Sequence, residues 1–432
     1  MAPGFSQIDA AHSPPQVTIP REYNAAHDLL LRHGLKGQGS RPAVLDFEGT
    51  WSYAALAERA LKLGGLLLGL GLAPEQRVML ALLDTAEFPA CFFGAMLAGI
   101  IPVPVNTLLS PDDYSYIVRD SRARALIVSD GLLPKLLSAI ESAPNLRHVL
   151  VARSPLGGEP GRFAALTPLW EQASPLLEPY PTWQDDVAFW LYSSGSTGKP
   201  KGALHLHASL IRTAAFYARG VLDLSAEDRV FSAAKMFFAY GLGNSLTFPF
   251  SVGACSVLLW ERPTPKAVMA TMQAYAPSLF CGVPTLFAQI LADEALGRAA
   301  SASPLRLSTS AGEALPRHVG ERWRERFGSD ILDGIGSTEM LHIFLSNRPG
   351  DVRYGTTGRP VPGYELKLLD DNGGLVPDGQ EGALWVMGPT ACVGYWGDRE
   401  RSLATFHGPW TRTGDRYVRD ADGCYTYCGR ND

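Results

Sequence analysis

The stretch from Tyr192 to Gly202 reads Tyr-Ser-Ser-Gly-Ser-Thr-Gly-Lys-Pro-Lys-Gly. It follows an apolar run, Val187–Tyr192, with the look of a strand, and it combines hydroxyls, glycines and two lysines without an acid. Glycines permit the positive φ angles that turn successive backbone N–H groups to one side, which makes an anion nest. Ser193, Ser194, Ser196 and Thr197 add hydroxyl donors, Gly195 and Gly198 the turns, and Lys199 and Lys201 the positive charge. The chemistry this suits is the holding of phosphate. A Walker loop needs four residues between its glycines and Ser or Thr after the lysine, but here two intervene and Pro200 follows. The nucleophile elbow G-x-S-x-G also fails, because Ser194 stands where its first glycine belongs. No G-x-G-x-x-G occurs in the chain. A plain Gly/Ser surface loop would have no need of a Lys-Pro-Lys end.

Four further segments follow in order. They are Ser310-Ala311-Gly312-Glu313-Ala314-Leu315-Pro316, Asp333-Gly334-Ile335-Gly336-Ser337-Thr338-Glu339, Trp410-Thr411-Arg412-Thr413-Gly414-Asp415, and Gly429-Arg430-Asn431-Asp432. With the phosphate loop they resemble the adenylate-forming superfamily, which includes acyl-CoA and aryl-CoA ligases, luciferases and peptide-synthetase adenylation domains. The resemblance spans essentially the whole chain and implies that a carboxylate attacks the α-phosphorus of ATP. Pyrophosphate leaves, and a thiol such as CoA then displaces AMP. It further implies that Ser193 to Lys201 hold the β- and γ-phosphates, with Thr197, Lys199, Thr338 and Glu339 the residues nearest the chemistry. Glu339 would hold Mg²⁺. Gly312, Glu313 and Ala314 fall on the adenine side with Asp333, Gly334, Ile335, Gly336 and Ser337, while Asp415 would take the ribose hydroxyls with Arg430 close by. Ile335 departs from the family pattern, in which many members place an aromatic residue against adenine.

The acid-binding segments are Lys235 to Asn244 and Ser337 to Phe344. Phe-Phe-Ala-Tyr-Gly-Leu-Gly-Asn and Gly-Ser-Thr-Glu-Met-Leu-His-Ile-Phe resemble those of benzoate–CoA ligases. The expected aryl pocket comprises Phe238, Ala239, Tyr240, Gly241, Ala311, Gly312, Ile335, Gly336, His342 and Ile343. Ala239 leaves room and Tyr240 offers a flat wall for a ring, an aromatic contact worth about 0.5–1.5 kcal/mol beyond burial. The implied partners are a small aromatic carboxylic acid, ATP and CoA, and a homodimer is allowed. Two rivals use the same residues differently: a Ser amidase built on Ser193 to Ser196 and Lys199, and a non-catalytic carboxylate-binding module.

These groups need a scaffold. The expectation is an α/β chain of two mostly parallel sheets sandwiched with helices, plus a small antiparallel β-barrel subdomain. Val230–Ala234, Ser256–Trp260, Ser278–Val283, Leu305–Ser310 and Ile331–Ile335 read as strands between helices, one capped at Thr264-Pro265 and another running from Leu315-Pro316 to Phe327. In the first half, Arg77–Leu82 and Ala125–Val128 read as strands flanking a helix that ends by Ala98. After Tyr354, short strands at Tyr364–Leu369, Ala383–Met387 and Tyr425–Cys428 alternate with turn clusters. Approximate subdomains are 1–186, 187–354 and 355–428, with 429–432 a hinge. In this family a smaller C-terminal domain follows that hinge, so the 432-residue chain is expected to bind aryl acid or its adenylate but to ligate CoA poorly.

With 46% apolar and 19% charged residues, the chain is globular rather than disordered. A net charge of −5 with no basic run argues against nucleic acid. The 44 glycines and 32 prolines are too many for a helical bundle. Phe88–Asn106 is uncharged but broken by Pro89, Pro102 and Pro104, which reads as a core helix and strand rather than a membrane span. Six scattered cysteines and no secretory signal point to a reduced, cytoplasmic protein; the x₃ spacing of Cys424 and Cys428 does not suit zinc.

Overall fold

A computed structural model describes residues 3–193, 198–296 and 305–430. Its largest element is a nine-stranded sheet. From one edge inward the strands are Arg359–Pro360, Ile343–Ser346, Ile331–Gly336, Leu307–Ser310, Leu279–Gly282, Arg229–Ser232, Cys255–Val257, Pro42–Asp46 and Gly49–Ser52. The six inner strands from Ile331–Gly336 to Pro42–Asp46 run parallel. Helices cross between several of them. Pro265–Tyr275 starts under Thr264, whose hydroxyl accepts the Ala267 N–H at 3.2 Å, and Arg317–Phe327 lays the fully buried Trp323 against Phe280 and Phe287.

A second, five-stranded parallel sheet takes the order Ile101–Pro104, Arg77–Ala81, Ala125–Ser129, His148–Ala152, Ala164–Ala165. The uncharged Phe88–Asn106 stretch becomes the helix Glu87–Leu97, buried at every position, and then the buried strand Ile101–Pro104. No helix among the described residues is long and apolar enough to cross a membrane. Pro102 and Pro104 are tolerated because Ile101–Pro104 is the edge strand of its sheet.

Two elements that carry expected site residues differ from the sequence expectation. Val187–Ser193 does not join a parallel sheet; it pairs antiparallel with Lys201–Leu206, so the two strands form the arms of a hairpin. A connection this short cannot cross over a sheet. Trp410–Arg419, to which the sequence assigned no strand, is the longest strand of the C-terminal antiparallel sheet. It lies between Glu381–Met387 on one edge and Phe406–His407 and Tyr425–Arg430 on the other. Gly414, at φ +83°, masks the strand in the sequence, and register shifts beside it absorb the irregularity.

Tight helix packing completes the first half. A Cβ at Gly94 would lie 2.6 Å from the Ala60 carbonyl oxygen and 2.9 Å from Leu63 Cβ, so the helices Tyr53–Gly69 and Glu87–Leu97 touch through backbone. Gly94→Ala is expected to destabilise the protein by about 1–3 kcal/mol in urea unfolding, whereas Gly69→Ala, with open space at its Cβ, changes stability by less than about 1 kcal/mol.

Candidate active site

Ligands of open α/β sheets sit beyond the carboxyl ends of the strands. Here Ala234, Val283, Ala311 and Gly336 lie at or just past the ends of Arg229–Ser232, Leu279–Gly282, Leu307–Ser310 and Ile331–Gly336, and together they wall a cavity of about 270 Å³. Phe238, Ala239, Tyr240, Gly312, Ser337, Thr338, His342 and Ile343 complete it. Two expected members are placed elsewhere. Gly241 faces the loop beneath, where a Cβ would meet the Lys235 carbonyl oxygen at 2.1 Å, and Ile335 lines a neighbouring cavity. Ala234 and Val283 were missed by motif reading; the signal available was their position at strand ends.

The walls are mostly apolar, and two of their polar groups are held by internal hydrogen bonds. Tyr240 Oη lies 2.7 Å from Thr309 Oγ1, and His342 Nε2 lies 3.1 Å from the Tyr240 carbonyl oxygen. Nε2–H therefore donates and His342 is neutral; burial pushes its pKa down to about 3. Nδ1 is enclosed and has no partner among the described residues. Phe238 is half exposed, at the outer side of the cavity, and its ring centroid lies 4.6 Å from that of the buried Phe237.

The second cavity, of about 360 Å³, is lined by Gly312, Glu313, Ala314, Asp333, Gly334, Ile335, Gly336, Thr357, Asp415, Tyr417, Tyr427 and Arg430. It shares Gly312 and Gly336 with the first, so the two adjoin at those glycines. Gly312 takes φ +94°, and a Cβ at Gly336 would lie 2.5 Å from the His342 carbonyl oxygen. Asp415 and Arg430 are cross-strand partners, Nη1 to Oδ1 3.4 Å. Tyr417 and Tyr427 pair in the same ladder, with ring centroids 5.5 Å apart. Asp415 and Tyr417, two apart on one strand, both line the cavity, a period-2 signal that the missed strand concealed. Burial holds the Asp333 carboxyl well above the usual carboxylate range.

At the foot of the phosphate hairpin the two lysines part. Lys199 is exposed, its Nζ 5.1 Å from the centre of the Tyr116 ring, whereas Lys201 Nζ lies 4.0 Å from Glu339 Oε1. Tyr395 Oη donates to the same Glu339 oxygen at 2.6 Å. Ser194, Gly195, Ser196 and Thr197 lie outside the described residues, as do Asn431 and Asp432; Ser193 ends the hairpin's first strand. No cluster of three or more His, Cys, Asp or Glu side chains suited to a metal occurs among the described residues. A lone carboxylate such as Glu339 fits Mg²⁺, which is commonly held by one or two carboxylates together with substrate phosphates.

The loop carrying Phe238 to Tyr240 is anchored from the other sheet. Both carboxylate oxygens of Asp84, which is buried, lie 3.3 Å from the Met236 backbone nitrogen, and burial raises the Asp84 pKa to about 6 against the opposing influence of Lys235. A carboxyl whose folded pKa is raised stabilises fully below its unfolded pKa and loses that contribution as pH climbs through the folded value. Asp84→Asn should therefore gain stability relative to the wild type between about pH 4 and pH 7, on the order of 2–3 kcal/mol for a two-unit shift. Paired melting curves across that range check this; a pH-independent difference would contradict it.

Comparison with known proteins agrees with this geometry. The family model for AMP-binding enzymes matches residues 31–396. The chain is 49% identical over 430 residues to the benzoate–CoA ligase of Thauera aromatica, covering 99% of this chain and 80% of that protein. It is 45% identical over 412 residues to a 4-hydroxybenzoate–CoA/benzoate–CoA ligase of Rhodopseudomonas palustris, covering 95% and 76%. A crystal structure of a benzoate CoA ligase from Burkholderia xenovorans LB400 matches with a TM-score of 0.89 at 48% identity, over 95% of this chain and 80% of that one. With an apolar cavity and the Asp415–Arg430 cavity adjoining between strand ends, this chain belongs to the AMP-binding, adenylate-forming enzyme family.

Proposed function

We propose that the protein activates benzoate with ATP and passes the benzoyl group to CoA. The observation that carries this reading is the junction at Gly312 and Gly336, where an apolar cavity of about 270 Å³ adjoins the Asp415–Arg430 cavity. An apolar cavity of about 150 Å³ is enough for benzene, so the first cavity has room for a ring and its carboxylate. The ring then rests against Ala239, Tyr240, His342 and Ile343, and the carboxylate reaches the glycine junction.

There it meets the α-phosphorus of ATP, whose adenosine occupies the second cavity with its ribose hydroxyls at Asp415. A carboxylate oxygen forms the new bond to phosphorus while the bond to the pyrophosphate oxygen breaks, leaving benzoyl-AMP. No general base is required, because benzoate is already ionised at neutral pH. His342 in the acid cavity is accordingly neutral and engaged in structure. Lys201 and the phosphate hairpin would offset charge on the departing pyrophosphate. Glu339 would hold Mg²⁺, which when bound neutralises part of the triphosphate charge. In the second half-reaction the CoA thiolate attacks the acyl carbon and AMP leaves. The free cysteines suit a reduced compartment, and the reading places the reaction in the cytoplasm.

The same walls order the substrates. Tyr240 Oη and His342 Nε2 are spent on internal hydrogen bonds, and Nδ1 is enclosed. A ring hydroxyl or amine that rests against the apolar walls and reaches none of the remaining polar atoms gives up its water without a partner, at about 1–3 kcal/mol. Calorimetry is therefore expected to give benzoate an affinity about 10- to 100-fold above 3- and 4-hydroxybenzoate. Equal binding of the hydroxybenzoates would overturn that ranking, and a medium-chain fatty acid binding as well as benzoate would overturn the aryl reading itself.

A further inference from the structure

The segment from Cys392 to Trp396 belongs to none of the motifs that mark the site in the sequence, yet it is sewn to both of its charged groups. The Val393 N–H donates to the Leu204 carbonyl at 2.9 Å, Leu204 N–H to Gly394 at 3.1 Å, and Trp396 N–H to Gly202 at 2.8 Å. It therefore lies antiparallel beside Lys201–Leu206, the second arm of the hairpin, through an isolated β-bridge between Ala203 and Tyr395. The Cys392 N–H meanwhile donates to the Glu339 carbonyl at 2.7 Å. The segment thus bridges the hairpin to the chain that follows Ile331–Gly336.

Tyr395 is the one side chain of this bridge that touches both charges. Its hydroxyl lies 2.6 Å from Glu339 Oε1 and 3.3 Å from Lys201 Nζ, and its ring centre lies 4.4 Å from that same Nζ. Lys201 and Glu339 themselves stay 4.0 Å apart. A lysine and a carboxylate free to approach close to about 2.7–2.9 Å, and each then spends its charge on the other. The Tyr395 hydroxyl stands between them: it donates to the carboxylate and accepts from the ammonium.

We propose that Tyr395 is a positioning residue that holds Lys201 and Glu339 apart, so that the ammonium remains directed to phosphate and the carboxylate to the cation that accompanies it. The inference rests on the functional reading above. Removing the hydroxyl lets Lys201 and Glu339 collapse into a closed ion pair, and neither then serves the triphosphate fully.

The test is calorimetric binding of ATP to the wild type and to Tyr395→Phe over a series of Mg²⁺ concentrations, with benzoate binding and thermal midpoint measured alongside. The expected result is a rise of about tenfold in the Mg²⁺ concentration that half-saturates ATP binding, with benzoate affinity and midpoint unchanged. In a Glu339→Gln background the same substitution should then have little further effect. An unchanged Mg²⁺ dependence, a benzoate affinity that falls in parallel, or an undiminished effect in the Glu339→Gln background would each overturn the proposal. If the wild type itself bound no ATP at any Mg²⁺ concentration, the functional reading would fall instead, so the two failures are distinct.

Discussion

Everything at the centre of this molecule depends on two positions that cannot carry a side chain. Gly312 turns out of its strand at φ +94°, and a Cβ on Gly336 would press to 2.5 Å from the His342 carbonyl oxygen. Each glycine follows or ends a parallel strand, and the two strands are hydrogen-bonded neighbours. Both glycines line the apolar cavity and the Asp415–Arg430 cavity, so the two adjoin there with backbone alone between them. On the proposed reading, a reaction between a carboxylate and a phosphate is mostly a matter of bringing them into line at this junction.

The surrounding side chains are arranged around charge that the substrates bring. His205, His207 and His342 are buried and pushed down to about 3, so none competes as a cation. Lys199 and Lys201 stand at the hairpin, and the Tyr395 hydroxyl lies between Lys201 and Glu339. The cavity walled by Ala239, Tyr240, His342 and Ile343 is mostly apolar, and Tyr240 Oη and His342 Nε2 are held by internal hydrogen bonds.

Much of this was legible from residue types. The strands flanking the site lie within a few residues of their expected ends, and Ala239, Tyr240, Gly312, Gly336 and His342, expected at the pocket from residue type and motif, line the apolar cavity. What escaped did so for identifiable reasons. Trp410–Arg419 contains Thr-Gly-Asp, which looks like a turn, and only its pairing on both edges makes it a strand. Losing that strand also lost Tyr417, and with it the partner of Tyr427. Ala234 and Val283 carry no chemistry of their own and enter the site only because their strands end there. Tyr395 lies 56 positions from Glu339, a contact that no local pattern announces.

The central claim is that one ligand can span both cavities through the glycine junction. Calorimetric titration with a stable benzoyl-adenylate mimic, such as a benzoyl sulfamoyl adenosine, tests it directly. If the cavities communicate, linking the two halves makes the second contact intramolecular, and the mimic should bind about 10²- to 10⁴-fold more tightly than benzoate or AMP alone while displacing both. A mimic that binds no better than AMP and leaves benzoate in place would contradict the account.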